Sequence, residues 1–127
     1  MGSSNNSLGL SKKIKKSEII SKVLKQGKRK TSYPIRIHWL WESSPYRSVG
    51  SGFEVAFIVP KRIYRKAVKR NQIKRWMREA LRIHQDQILI KEKKQLQLLI
   101  VASQAEISTY QEVEKAVIYL LTYLANR

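Results

Sequence analysis

The run of seven residues from Leu96 to Ala102 constrains the fold of this chain more than any other segment. Six of the seven side chains are apolar, and Gln97 is the exception. A strand of this composition is typical of a position that other parts of the protein cover on both faces. The run therefore predicts a strand inside a sheet against which helices pack.

Two further strands are predicted earlier in the chain. Residues 33–41 alternate, with Tyr33, Ile35, Ile37, Trp39 and Trp41 on one face and Pro34, Arg36, His38 and Leu40 on the other. A period of two with aromatic and β-branched residues is typical of a strand. Residues 53–59 form a second strand that Pro60 ends, and the intervening stretch, rich in Ser, Gly and Pro, predicts a loop.

Three segments have the spacing of an amphipathic helix. Ser17 is a suitable N-cap for the first, which runs to about residue 26 and is ended by Gly27. The second covers residues 67–84, and residues 86–93 either extend it or form a short separate helix. The third covers residues 110–125. The order helix, strand, strand, helix, strand, helix, with room for a further short strand, predicts an α+β fold, a two-layer sandwich of one sheet and its helices.

The length of 127 residues predicts a single domain. Residues 1–9 are polar and predict a disordered segment ahead of the domain, which is expected to cover residues 10–127. Two lysine-rich stretches are interpreted as irregular. Lys12, Lys13, Lys15 and Lys16 predict a flexible arm that contacts phosphates, and Lys28, Arg29 and Lys30 predict a basic loop.

The formal net charge is +17, and it is unevenly distributed. Residues 1–82 carry 21 Lys or Arg and 4 Asp or Glu, whereas residues 83–127 carry five of each sign. A field of this size attracts polyanions and costs the fold some self-repulsion. Nucleic acid is therefore the expected partner, ahead of an anionic membrane surface.

Several classes of site are disfavoured by the sequence. The chain has no Cys, which rules out disulfides and thiolate metal sites and suits a cytoplasmic protein. No apolar run approaches the roughly 18 residues of a membrane span. The two histidines, His38 and His84, are too far apart to suggest a metal site, and no paired carboxylates are present, so we predict no catalytic residue in the protein.

The second helix places its charges on one side. On a helical wheel at about 100° per residue, one side holds Ile73, Trp76, Met77, Ala80, Leu81 and His84. The other side holds Arg70, Asn71, Lys74, Arg75, Arg78 and Arg82. Like charges four residues apart cost a few tenths of a kcal/mol per pair, so an unpaired cationic stripe is better explained if phosphates complete it.

Asn71 lies among these cations and can both donate and accept a hydrogen bond, which suits a base edge or a 2′-hydroxyl. The pattern alone does not separate RNA from DNA. A basic helix fits the major groove of DNA, but no helix-turn-helix spacing, zinc site or heptad repeat of a DNA reader is found. The residue pattern therefore predicts that this helix binds nucleic acid.

One stretch of the second helix carries a specific resemblance. It reads Lys69-Arg70-Asn71-Gln72-Ile73-Lys74-Arg75-Trp76-Met77-Arg78-Glu79-Ala80-Leu81-Arg82, and it closely resembles the signature helix of the bacterial ribonuclease P protein component. Residues 10–17, 23–29 and 59–62 resemble the opening of that family, the end of its first helix and the lead into its signature helix. The resemblance covers about residues 10–125.

The resemblance implies an α+β sandwich with a left-handed βαβ crossover, against the usual right-handed rule. It implies a protein subunit that does not itself catalyse: the partner, ribonuclease P RNA, uses Mg²⁺ to remove the 5′ leader from precursor tRNA. It implies no small-molecule substrate and a cytoplasmic location. Mg²⁺ would be bound mainly by the RNA, and no metal ligand of this chain is assigned.

The resemblance also implies two sets of site residues. The ribozyme RNA would be contacted by Arg70, Asn71, Lys74, Arg75, Arg78 and Arg82, with Lys61 and Arg62 nearby. The leader of precursor tRNA would lie in a cleft that involves Ile20, Leu24, Arg36 and His38. The family often has Arg in place of Gln72 and aromatic residues in place of Ile20, Leu24 and His38. The competing hypotheses are a ribosomal or RNA-chaperone protein with a structural role and a basic DNA-binding protein.

Overall fold

A computed structural model of the chain describes residues 11–13, 17–43, 53–87, 94–104 and 106–125. Within these ranges, three helices and five strands follow one another along the chain. They are β1 (Ser11–Lys13), α1 (Ser17–Gln26), β2 (Lys28–Ser32), β3 (Ile35–Ser43), β4 (Phe53–Ile58), α2 (Ala67–His84), β5 (Lys94–Ala102) and α3 (Tyr110–Ala125). A 3-10 turn, Gln85–Gln87, follows α2. The α+β fold is confirmed.

The apolar run Leu96–Ala102 lies in the middle of the sheet. The strand order is β1-β4-β5-β3-β2, so β5 is central. It pairs in parallel with β4 and antiparallel with β3. Every side chain from Leu96 to Ala102 is buried, because neighbouring strands flank it and helices cover both faces.

The two faces of the sheet pack against different helices. On one face, Ile37, Phe57 and Ile100 form a row across β3, β4 and β5 and belong to the main core, which also contains the inner sides of α2 and α3. The next residues along the strands point the other way. Ala56, Leu99 and Val101 pack against Val23 of α1. The two-residue period of the strands thus separates α1 from α2 and α3.

The second helix has the predicted bounds. Ile73, Met77, Ala80 and Leu81 are fully buried at spacings of three and four residues. Burial of a side chain as large as Met77 or Leu81 stabilises the fold by about 1.5–3 kcal/mol. The helix connects the parallel strands β4 and β5 and forms the predicted βαβ unit. The left hand of that crossover stays a prediction of the resemblance.

The structure corrects three predictions about irregular segments. Lys28–Lys30 is not a loop but the start of β2, which pairs antiparallel with β3 along its whole length. Lys12 and Lys13 are not part of a flexible arm, because β1 pairs in parallel with β4. Hydrogen bonds to a distant strand decide both cases, and neither stretch has the apolar alternation that marks a strand in sequence.

Tyr33 is a further correction. It lies in the turn between β2 and β3, joined to Pro34 by a cis peptide bond, and is 57% exposed rather than aligned with the inner face of β3. The other helix and strand predictions hold within about two residues. Several predictions concern segments outside the described residues. These are the predicted disordered segment at residues 1–9, Lys15 and Lys16 of the arm, the loop after β3 from residue 44, and residues 88–93.

Candidate nucleic-acid interface

The outer side of α2 carries the predicted basic residues, and none of them is buried. Asn71 and Arg75 are exposed and Lys74 is partly so. None of these three side chains has a hydrogen bond or ion pair within the described part of the chain. Because the apolar side of the helix is fixed in the core, their donors point toward solvent, where they are available to an anionic ligand.

Arg70 lies one helical turn before Lys74 on the same side of α2, but its guanidinium is bonded to the protein backbone. Its Nη1 donates to the backbone carbonyl oxygens of Tyr64, at 3.0 Å, and Arg65, at 2.8 Å. These bonds fix the lead-in segment, residues 59–66, against the first turn of the helix. The remaining nitrogens of the guanidinium keep donors for a phosphate.

The two arginines nearer the C-terminal end of α2 have partners inside the protein. The guanidinium of Arg78 lies over the ring of Phe57, 5.5 Å from its centroid. Arg82 forms a surface salt bridge with Glu79, with Nη2 2.6 Å from the carboxylate oxygen. The hydrogen bond from Arg82 lowers the pKa of the Glu79 carboxyl. The wheel thus placed the charges correctly but did not reveal which of them are already paired.

The lead-in segment presents Lys61 and Arg62, both exposed, just before α2. A tight turn forms here, in which the carbonyl oxygen of Pro60 accepts from the backbone N–H of Ile63, at 3.1 Å, and of Tyr64, at 3.0 Å. At the helix start, Lys66 makes no side-chain cap bond and the first turn has no acidic residue. The positive end of the helix dipole therefore adds to the charge of the lysines and arginines.

Tyr64 holds this segment in place, and sequence reasoning missed it. The side chain is only 5% exposed. Its hydroxyl donates to the carbonyl oxygen of Gln104 and accepts from the backbone N–H of Ile107 at 3.1 Å. Burial raises the pKa of this phenol. The available signal was a lone aromatic residue in a basic connection, which does not by itself identify a partner some forty residues away.

The residues predicted for the leader cleft lie on the other face of the sheet. Ile20 and Leu24 are on α1, and Leu24 is 49% exposed. Arg36 and His38 are on β3, and the Arg36 Nε donates to His38 Nε2 at 3.0 Å. The structure places α1 on the face of the sheet to which Arg36 and His38 point, whereas α2 packs on the opposite face.

His38 is buried, with 6% of its surface exposed. Burial, followed by the charges of Arg36 and Arg29, lowers the pKa of the imidazole below its ordinary value of 6.5. The ring is therefore neutral near pH 7. Since Nε2 accepts the hydrogen bond from Arg36, the proton is on Nδ1.

A cavity of about 480 Å³ opens where α1 ends and β2 begins. Its lining is Leu24, Gly27, Lys28, Arg29, His38, Trp39 and Tyr123. It therefore joins Leu24 and His38 of the predicted cleft, whereas Ile20 and Arg36 lie outside its lining. We call it the edge cavity, because β2 is the edge strand of the sheet.

The described ranges contain neither a metal-binding cluster nor a membrane-spanning helix. There, no three His, Cys, Asp or Glu side chains lie close enough together to hold a metal ion, so no Mg²⁺ ligand is assigned to the chain. Likewise, none of the helices in those ranges has the length and apolar character needed to cross a bilayer.

Comparison with known proteins gives a family from a sequence profile and a fold from solved structures. A family profile described as Ribonuclease P matches residues 8–125. The RNase P protein of Staphylococcus aureus is similar in structure, with a TM-score of 0.69 and 22% identity, over 87% of this chain and 93% of that one. The RNase P protein of Thermotoga maritima has a TM-score of 0.65 and 16% identity, over 88% and 96%. No curated protein sequence matches.

Proposed function

The chain belongs to the ribonuclease P protein family, and we propose that it binds the catalytic RNA of ribonuclease P together with the 5′ leader of precursor tRNA. In this role it assists the endonucleolytic removal of the leader that produces mature tRNA 5′ ends. The protein supplies binding and charge, and the RNA with its Mg²⁺ supplies the chemistry. The complex acts in the cytoplasm.

The observation that carries the proposal is the outward set Asn71, Lys74 and Arg75 on α2, for which no described residue is a hydrogen-bond or ion-pair partner. Buried residues fix the other side of this helix, so the orientation of the set is determined before any ligand binds. Arg offers a planar fork that matches two phosphate oxygens, and Lys offers a point charge. Asn71 adds a group that distinguishes a base edge or 2′-hydroxyl from a phosphate.

The leader is proposed to lie between α1 and the sheet. The half-exposed Leu24 provides an apolar surface there, and the neutral His38 provides a hydrogen-bond donor at Nδ1. Single-stranded nucleic acid suits such a groove, because its bases are free to contact apolar and polar side chains. Ile20 and Leu24 are aliphatic and do not stack as aromatic rings do, so contacts with individual bases depend more on His38.

The contribution to the reaction is electrostatic. Ribozyme and substrate are both polyanions and repel each other, and divalent cations normally screen that repulsion. A protein that places cations from α2 on the ribozyme and from the α1 face on the leader replaces part of that screening. The chain should therefore matter most at low Mg²⁺ concentration.

A reconstitution experiment tests the proposal. The chain is added to a bacterial ribonuclease P RNA, and cleavage of a precursor tRNA is measured at low Mg²⁺. We expect the chain to stimulate cleavage. A chain that binds the RNA without stimulating cleavage would be a structural RNA-binding protein, and the proposal would be wrong.

The RNA surface is tested separately by the salt dependence of binding. Arg75→Ala should reduce the slope of log K against log salt by about 1, because one phosphate contact is lost. Lys115→Ala, an exposed cation on α3, removes the same charge away from the proposed surface and should leave the slope as in the wild type. Equal slopes for wild type and Arg75→Ala would place the RNA elsewhere.

A further inference from the structure

The proposed function leaves unused two exposed cations at the start of the edge strand. Lys28 pairs with Trp39 and Arg29 pairs with His38 in the β2–β3 register. Cross-strand partners lie on the same face of a sheet, and successive residues lie on opposite faces. Lys28 is therefore on the α3 face and Arg29 on the α1 face, and the two side chains flank the edge of the sheet.

The edge cavity lies at this point. Among the described residues, its lining includes two cations and a histidine but no carboxylate. Gly27 allows the end of α1 to approach β3 closely beside the cavity, because a Cβ at this position would lie 2.6 Å from the Val23 carbonyl oxygen and closer still to that of Trp39. On the α3 side, the ammonium of Lys30 lies 4.7 Å from the centroid of the Tyr123 ring. Positive charge is thus present on both sides of the edge.

We propose that the edge cavity is a second subsite for single-stranded RNA, in which Lys28 and Arg29 contact phosphodiesters of the leader beyond the cleft. The proposal rests on the proposed function, since it assigns a continuation of the leader path. Leu24 and His38 line both the cleft and the edge cavity, so the two are continuous. A strand of RNA that leaves the cleft past the end of α1 reaches the edge cavity next.

The size and charge of the edge cavity favour this ligand. Its volume of about 480 Å³ lies within the range of about 300–1,000 Å³ that is usual for ligand sites. The phosphate backbone of RNA supplies negative charge, which none of the described lining residues carries. A simpler explanation is that Lys28 and Arg29 only protect an exposed edge strand from pairing with other chains. That role needs exposed charge but no cavity, and it predicts no effect on RNA binding.

The test uses the holoenzyme reconstituted from the chain and ribonuclease P RNA. Two precursor tRNAs are compared, one with a leader too short to leave the cleft and one with a leader several times longer. Lys28→Ala and Arg29→Ala should each weaken binding of the long-leader substrate about fivefold at about 0.1 M salt. Each single-strand phosphate contact contributes about 0.7 to the slope of log K against log salt, which corresponds to a factor of about five between about 1 M and about 0.1 M salt. Binding of the short-leader substrate should not change.

Lys115→Ala, with the same loss of charge, should affect neither substrate, and thermal unfolding confirms that each variant is folded. If wild type and both variants bind the long leader equally well, the edge cavity is not an RNA subsite, and the proposed function stands. Equal weakening for both leaders also overturns the inference, because the contact would then be to another RNA. If the wild-type chain fails to stimulate cleavage at all, the proposed function itself fails.

Discussion

Replacing Tyr64 with phenylalanine removes a single oxygen atom that links two loops. The hydroxyl donates to the Gln104 carbonyl oxygen and accepts from the Ile107 N–H, so it ties the lead-in of α2 to the connection between β5 and α3. The ring itself remains and continues to fill its place in the core. The substitution therefore tests the two hydrogen bonds with little change in packing.

The expected cost follows from what happens to the two partners. Gln104 is exposed, so its carbonyl oxygen can bind water after the substitution. Ile107 is only 2% exposed, so its N–H loses its partner without a replacement. An unsatisfied buried donor costs about 1–3 kcal/mol. For a domain of this size, each kcal/mol lowers the melting temperature by about 3–5 °C, so a decrease of about 3–15 °C is expected.

Thermal unfolding followed by circular dichroism measures this difference. Tyr33→Phe is the matched control, because Tyr33 is 57% exposed and its hydroxyl has no hydrogen-bond partner within the described ranges. A melting temperature of Tyr64→Phe equal to that of Tyr33→Phe would refute the argument. Alkaline pH gives a second measure. Since the pKa of Tyr64 is raised above 10.0 in the folded state, its contribution to stability is lost as the pH rises beyond that value, and Tyr64→Phe lacks this loss.

Three further changes have defined outcomes. Gly27→Ala places a Cβ against two backbone carbonyl oxygens and should lower the free energy of unfolding by about 1–3 kcal/mol, and a urea midpoint equal to that of the wild type would contradict this. Because the pKa of His38 is lowered, its contribution to stability is present above pH 6.5 and is lost as the pH falls below it. His38→Asn should therefore flatten the acid side of the stability profile, and an unchanged profile would exclude His38 as the cause. Glu79→Gln frees Arg82 and should steepen the salt dependence of RNA binding by about 1, whereas an unchanged slope would mean that Arg82 does not face the RNA.

The helices and the central strand were predictable because their signals are local. The helical spacing of apolar residues predicts the bounds of α2 at residues 67–84 and of α3 at residues 110–125, and the structure confirms both. The apolar run of β5 predicted burial on both faces. Each of these signals depends on a side-chain period that a helix or strand imposes on its own residues.

The edge strands were not predictable in this way. Lys28–Ser32 is a polar segment without a clear alternation, and it becomes a strand because β3 offers it a row of backbone hydrogen bonds. The same holds for β1, which pairs with β4. An edge strand needs no apolar face of its own, so its sequence carries little information about its structure.

The sequence by itself determined which residues of α2 form a cationic side, and the signature in that helix indicated the family. Only the tertiary structure decided how those cations are used. Arg70 holds the lead-in segment, Arg82 pairs with Glu79, and Lys74 and Arg75 remain unpaired among the described residues. It also brought Lys28 and Arg29 to a cavity beside the predicted cleft. The physical reason is that a helical period fixes the direction of a side chain, whereas its partners come from segments that only the folded chain brings near.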